Sequence, residues 1–150
     1  MHYNSTYSNY INLYYMNDQK DFVLWLSKID KRLAPYIGGK AANLGEMLKN
    51  KLPVPNGFVI ASNAYQAFIK ENNLKSKIEA VIKATEYKDP NSLSKSSKKI
   101  EQLILKGTID PKILNIVLEH YKKLGEDALV AVRSSATSED SKTASFAGQQ

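Results

Sequence analysis

The sequence predicts an α/β (α+β) protein, a small sheet with flanking helices and a helical insertion. Three observations predict it. Short apolar runs of strand length stand at "FVLWL", "GFVIA" and "ALVAV". Apolar residues at helical spacing fill the stretches between them. From Leu74 to Gly125 the pattern is helical without a strand signal. At 150 residues and 16.8 kDa the chain is long enough for one real core and too short for two large ones.

The first twenty residues, "MHYNSTYSNYINLYYMNDQK", hold five of the nine tyrosines and no basic region followed by an apolar one, so they do not read as a signal peptide. They read as a poorly ordered or over-long leader, with Met16 as an alternative start and residues 21–150 as the folded portion. "FVLWL" is the first strand candidate. "APYIGGK" places a proline and two glycines before "KAANLGEMLKN", a helix with Ala41, Leu44 and Leu48 on one face and Met47 beside them. Pro53 and Pro55 make "LPVPNG" an extended connection in which Gly57 relaxes a turn. "GFVIA" is the second strand, and Ser62 caps a helix through "NAYQAFIKENN" that turns Ala64, Phe68 and either Tyr65 or Ile69 inward.

Three more helices follow. "LKSKIEAVIKA" is the first; the second starts near Asp89-Pro90 and stops at Gly107. The third is "DPKILNIVLEHYKKLG", where Asp110 caps, Pro111 takes the first helical position, Ile113, Val117 and Tyr121 recur every four residues, and Gly125 ends it. "ALVAV" is the last strand, its unbroken apolar side chains suggesting burial on both faces.

A formal charge of +6 and a pI near 9.3 admit nucleic acid, an anionic surface or a phosphate-rich ligand as partners. Aromatic nucleic-acid motifs, paired Cys/His spacings and basic-plus-heptad patterns are absent, so no nucleic-acid partner is expected, and the lysine runs read as solvated helix faces. With no cysteine, disulfides and thiolate metal sites are excluded. No apolar run approaches a bilayer span, and a cytoplasmic protein without a membrane partner is expected.

Chemistry concentrates in two places. In "GGK", Gly38 and Gly39 let the backbone come close to an anion at a helix N-terminus, where Lys40 adds a mobile positive charge. It is not a Walker A loop, since the spacing is wrong and Ala41 follows the lysine. In "VRSSATSED", Arg133 leaves directly from the apolar run and can hold phosphate oxygens in bidentate fashion, or else pair with Glu139 or Asp140. Ser134, Ser135 and Thr137 can donate to the same oxygens or cap local backbone. In "TASFAGQQ", Gly148 lets the chain pass close to a ligand while Phe146 anchors the loop. His120, mid-helix between Glu119 and Tyr121, reads as an ordinary helix residue.

"YIGGKAANLGEML", "LPVPNGFVIASNAYQAFI" and "VAVRSSATSEDSKTASFAGQQ", in this order and spacing, resemble the N-terminal nucleotide-binding region of the pyruvate-phosphate dikinase and phosphoenolpyruvate synthase family, from about Phe22 to Gln150. The resemblance implies the first subdomain of an ATP-grasp domain, followed in the family by a second subdomain, a phosphohistidine domain and, in the synthase, a pyruvate-binding barrel. It implies that Lys40 and Arg133 contact ATP phosphates. It also implies that "TASFAGQQ" is a loop closing over them, with Thr143, Ser145, Ala147 and Gly148 near the phosphates and Gln149 at its end. Ala41 departs from the glycine usual after "GGK", which is tolerated where the backbone is already helical.

The family's Mg2+ ligands and adenine contacts come from the second subdomain, so the resemblance implies ATP and Mg2+ with the metal ligands outside this chain. On that ground the chain reads as a gene fragment or one piece of a split enzyme, inactive alone, whose partner is a separately encoded remainder. The parent reaction converts ATP, pyruvate and water to AMP, phosphoenolpyruvate and phosphate. A rifampicin phosphotransferase fragment, with similar motifs, and a non-catalytic nucleotide-binding or assembly protein are the rival expectations.

Overall fold

In the computed structural model, residues 21–135 are described, and they group into two compact units, one of residues 21–63 with 115–135 and the other Ala64–Leu114. The expectations for the leader and for the "TASFAGQQ" loop lie outside the described residues.

In the first unit, strands β1 (Val23–Trp25) and β2 (Phe58–Ile60) pair antiparallel with Val23 opposite Ile60, Leu24 opposite Val59 and Trp25 opposite Phe58. The Ala61 N–H extends the ladder by donating to the Phe22 carbonyl at 2.9 Å. Trp25 and Phe58 meet edge to face, ring centroids 5.9 Å apart, the kind of cross-strand aromatic pair that fixes register. Two 3-10 turns, Leu26–Lys28 and Lys31–Leu33, lead from β1 to the one-turn helix α1 (Ala34–Ile37), whose Pro35 suits a first turn. Helix α2 (Gly39–Lys49) follows at once.

The core of this unit is Leu26, Ile29, Ile37, Ala41, Ala42 and Ala61. Helix α2 meets it through Ala41, Ala42 and Gly45, with Leu44 and Leu48 half-buried and Met47 on the exposed flank. Small residues on this face let the helix lie close to the chain before it. A Cβ on Gly45 would sit 2.5 Å from the Ile29 carbonyl oxygen and 2.7 Å from its Cγ1. Ile29 is 0% exposed and has nowhere to retreat. Gly45→Ala is therefore expected to destabilise the chain by about 2 kcal/mol, overpacking outweighing the better helix propensity of alanine. Urea denaturation checks it, a neutral or stabilising result contradicting the close approach. Gly57 also works by what it lacks. Its φ is not positive; the missing Cβ makes room for Leu26, whose Cδ1 would lie 3.1 Å away, and its carbonyl accepts from the Leu26 N–H at 3.0 Å.

Asp30 is the buried polar residue of this unit, 6% exposed. Its carboxylate accepts from Arg32 Nη2 at 2.7 Å, from Lys49 Nζ at 2.8 Å and from the Arg32 backbone N–H at 2.9 Å, joining the second 3-10 turn to the end of α2. Hydrogen bonding to Arg32, with Lys49 adding to it, holds this carboxyl well below the usual carboxylate range against the opposing effect of burial. A depressed carboxyl contributes stability that is complete above its unfolded-state value and is lost as pH falls through the folded value. Asp30→Asn should thus cost about 2 kcal/mol at neutral pH, with the difference from wild type shrinking only below about pH 4. Denaturant titrations at pH 7 and pH 3 test the sign; a gap that does not narrow in acid would count against it.

Helix α3 (Ser62–Glu71) starts at Ser62 itself rather than after it as cap. Ala64 is buried, and of the two alternatives for its inner face Ile69 is half-buried while Tyr65 is exposed. In the second unit, α4 (Leu74–Lys83) and α5 (Pro90–Leu105) are joined by a short connection pinned on both sides. Asp89 caps α5 by accepting from the N–H groups of Asn91 and Ser92, and the Thr85 and Ser96 hydroxyls are 2.8 Å apart. The Asn72 side-chain amide pairs with both backbone groups of Thr108, at 2.8 and 2.9 Å. Gly107 ends α5 beside Phe68, whose ring a Cβ there would strike. Helix α6 (Pro111–Lys122) opens with Asp110 accepting from the Lys112 N–H at 2.7 Å, as the Asp-Pro pair predicts.

The expected third strand does not form. Residues 128–132 take no regular secondary structure and have no ladder partner among the described residues, and Leu129 and Val132 are 102% and 93% exposed. An unbroken apolar run is buried on both faces only where strands flank it, and none of the described strands runs beside this one. Its start is nevertheless held, because the Tyr121 hydroxyl donates to the Ala128 carbonyl at 2.7 Å and Gly125, with φ +140°, turns the chain after α6.

Candidate functional site

The glycine pair lies at the junction of α1 and α2. Gly38 has φ +80° and ψ 160°, a backbone region restricted to glycine. Its N–H closes α1 by donating to the Ala34 carbonyl at 2.9 Å, and its carbonyl opens α2 by accepting from the Ala42 N–H at 3.2 Å. Gly38 is thus the N-cap of α2, yet it has no side chain with which to satisfy the first-turn N–H groups.

The missing cap comes from 94 residues away. Ser135 Oγ accepts from the Ala41 N–H at 3.2 Å, the bond that an N-cap serine makes to the third residue of its own helix. The fit is tight: a Cβ on Gly38 would strike Ser135 Oγ and lie 2.5 Å from its carbonyl oxygen. Gly38 is required both by its φ and by Ser135. Its lack of a side chain accommodates a protein group at the very place where sequence reasoning put an approaching anion.

This contact brings the two expected phosphate segments together. The "GGK" turn and the end of "VRSS" touch through Gly38, Ala41 and Ser135. Lys40 stands exposed in the first turn of α2, and Arg133 and Ser134 are exposed on the segment just before the half-buried Ser135. Ala41 is buried and helical, which meets the condition for alanine at that position. Thr143, Ser145, Ala147, Gly148 and Gln149 lie outside the described residues, as do Glu139 and Asp140. Sequence reasoning named Ser135 only as one of several possible donors. The signal for its role was the absence of any Ser, Thr, Asp or Asn at the cap position of α2.

His120 packs rather than faces a cleft. Its ring lies 5.0 Å from Trp25 and 5.6 Å from Phe58, centroid to centroid. Nδ1 is 2.8 Å from the Ile116 carbonyl, which can only accept, so Nδ1 carries the proton. Among the described residues no group of three or more His, Cys, Asp or Glu could hold a metal ion, and no helix is long and apolar enough to cross a membrane.

A helix led by glycines and a lysine is thus held against an Arg-Ser-Ser segment, two stretches rich in groups that can donate to an anion. Comparison with known proteins gives the chain a family. The family model described as pyruvate phosphate dikinase, AMP/ATP-binding domain, matches residues 34–150, a span that takes in both segments. The chain is 42% identical over 132 residues to a probable phosphoenolpyruvate synthase of Archaeoglobus fulgidus, covering 85% of this chain and 18% of that one. It is 43% identical over 138 residues to a probable phosphoenolpyruvate synthase of Methanocaldococcus jannaschii (89% and 12%), and 36% identical over 141 residues to the phosphoenolpyruvate synthase of Escherichia coli (89% and 18%). The chain belongs to the pyruvate phosphate dikinase AMP/ATP-binding domain family. It spans between 12% and 18% of the length of these three relatives.

Proposed function

We propose that this chain is the first part of an ATP-grasp domain and binds the triphosphate tail of ATP in the service of phosphoenolpyruvate synthesis. The single observation that carries the reading is the Ser135 contact with the Gly38 turn, which sets the lysine-bearing and arginine-bearing segments side by side. Lys40 and Arg133 neutralise phosphate charge, Arg133 through its planar fork, while Gly39 and Ser134 add backbone and hydroxyl donors. By resemblance Thr143, Ser145, Ala147, Gly148 and Gln149 belong to a loop that closes over the same phosphates. None of these groups is a nucleophile or a general base. Their part is positioning and charge stabilisation.

Since the relatives are far longer, the reading assigns the adenine contacts, the Mg2+ ligands, the phosphorylated histidine and the pyruvate site to the remainder of such an enzyme, on the same or a separate polypeptide. The 150 residues then bind nucleotide without turning it over, in the cytoplasm. The names of the relatives favour the synthase over a rifampicin phosphotransferase.

Titration of Mg-ATP into the isotope-labelled chain, followed by amide chemical shifts, tests the reading at affinities too weak for calorimetry. Shifts should concentrate on Gly38, Gly39, Lys40, Arg133 and Ser134. No saturable shift at these residues, or shifts confined to Ala64–Leu114, would overturn it.

A further inference from the structure

Beyond the residues that face phosphate, we propose that Ser135 is a positioning residue: by capping α2 from outside that helix it sets the spacing between Lys40 and Arg133. The proposal rests on the phosphate-binding reading above. Its ground is a combination of two features, neither of which explains the other. Gly38 cannot cap its own helix, having no side chain, and Ser135 supplies the hydroxyl to the Ala41 N–H at 3.2 Å. Independently, the Ser135 backbone fills the space where any other residue at position 38 would carry its Cβ, with the carbonyl carbon 2.6 Å from that point.

A cap alone needs one hydrogen bond and no intimate backbone contact. Here backbone and side chain both engage, so the segment is located along α2 and in depth. Lys40 is one residue from Ala41, and Arg133 is two residues from Ser135. The seat of Ser135 therefore limits how far apart the two cations can stand. Because Oγ acts as acceptor toward Ala41, the hydroxyl keeps its own proton to donate, so the cap and a phosphate contact are chemically compatible. A ligand held by both segments gains from their being placed before it arrives, since the ordering of residues 133–135 is then not charged against binding.

The test compares wild type with Ser135→Ala, Ser135→Cys and Ser135→Thr in the whole chain. Cysteine keeps the shape with a poorer acceptor and guards against an alanine variant that fails to fold. Three quantities are read: hydrogen exchange at the Ala41 amide, affinity for Mg-ATP and for tripolyphosphate, and the thermal midpoint. The alanine and cysteine variants should exchange Ala41 at least tenfold faster and bind both ligands about tenfold more weakly, with a midpoint within a few degrees of wild type, and threonine should restore both. Unchanged Ala41 exchange overturns the cap. Faster exchange with undiminished affinity overturns the positioning role while leaving the phosphate-binding reading intact. A wild-type chain that binds neither ligand overturns that reading itself, and the positioning role with it.

Discussion

Gly38→Ala is expected to destabilise the chain by about 3 kcal/mol or more, the largest stability loss of any single methyl added to this unit. Two costs combine. A φ of +80° with ψ 160° strains any residue that has a Cβ, by roughly 1–3 kcal/mol. The new methyl would also meet Ser135, whose carbonyl oxygen and carbon lie 2.5 and 2.6 Å from it, and backbone atoms cannot swing aside as a long side chain can. Relief requires either that the α1–α2 junction change shape, giving up the Ala34 and Ala42 hydrogen bonds, or that residues 133–135 leave the turn. Urea denaturation measures the cost, and exchange at Ala41 shows which route relieves it. A loss under 1 kcal/mol with Ala41 protection retained would contradict the contact.

The second large effect is on chemistry. In a chimera that carries residues 21–150 in place of the matching part of the E. coli phosphoenolpyruvate synthase, Lys40→Ala and Arg133→Ala should each lower ATP-dependent phosphoenolpyruvate formation by about 10²–10³-fold. That is the scale of removing one preorganised donor from a developing phosphoryl charge. The loss should fall on kcat as well as on the KM for ATP, because charge on the transferring group grows toward the transition state. Lys40→Arg keeps the charge but not the compact ammonium and should recover only part of the rate. Turnover within threefold of the unsubstituted chimera in either alanine variant would remove that residue from the phosphate site.

Much of this was legible beforehand because the signals are local. Asp89-Pro90 and Asp110-Pro111 each state a cap and a first helical residue in two letters, and both helices begin there. The two paired strands follow from apolar runs bounded by turn residues. Where a decision needed a distant partner, local pattern failed. "ALVAV" has the composition of a buried strand, but burial belongs to flanking strands, and among the described residues none pairs with it. Tyr65 and Ile69 are equivalent by spacing, and tertiary contact alone separates them. Asp30 carries no local mark of burial, and its carboxylate meets Lys49 from 19 positions on. At the candidate site the bond joining the two segments left a single mark in the sequence, the lack of a capping side chain at the start of α2, and that mark does not say which distant residue supplies the cap.

The borrowed cap also bears on the order in which the protein is built. At about 5–20 residues per second of synthesis, the 94 positions between Ala41 and Ser135 separate the two by roughly 5–20 s. During that interval the first turn of α2 has no partner for the Ala41 N–H except water, whereas α4, α5 and their connection, closed by near-neighbour bonds such as Thr85 to Ser96, have all they need as soon as they emerge. The nascent chain thus acquires α4 and α5 before its glycine turn is finished. The ribosome delivers Ser135, the last piece of the turn, two residues after Arg133.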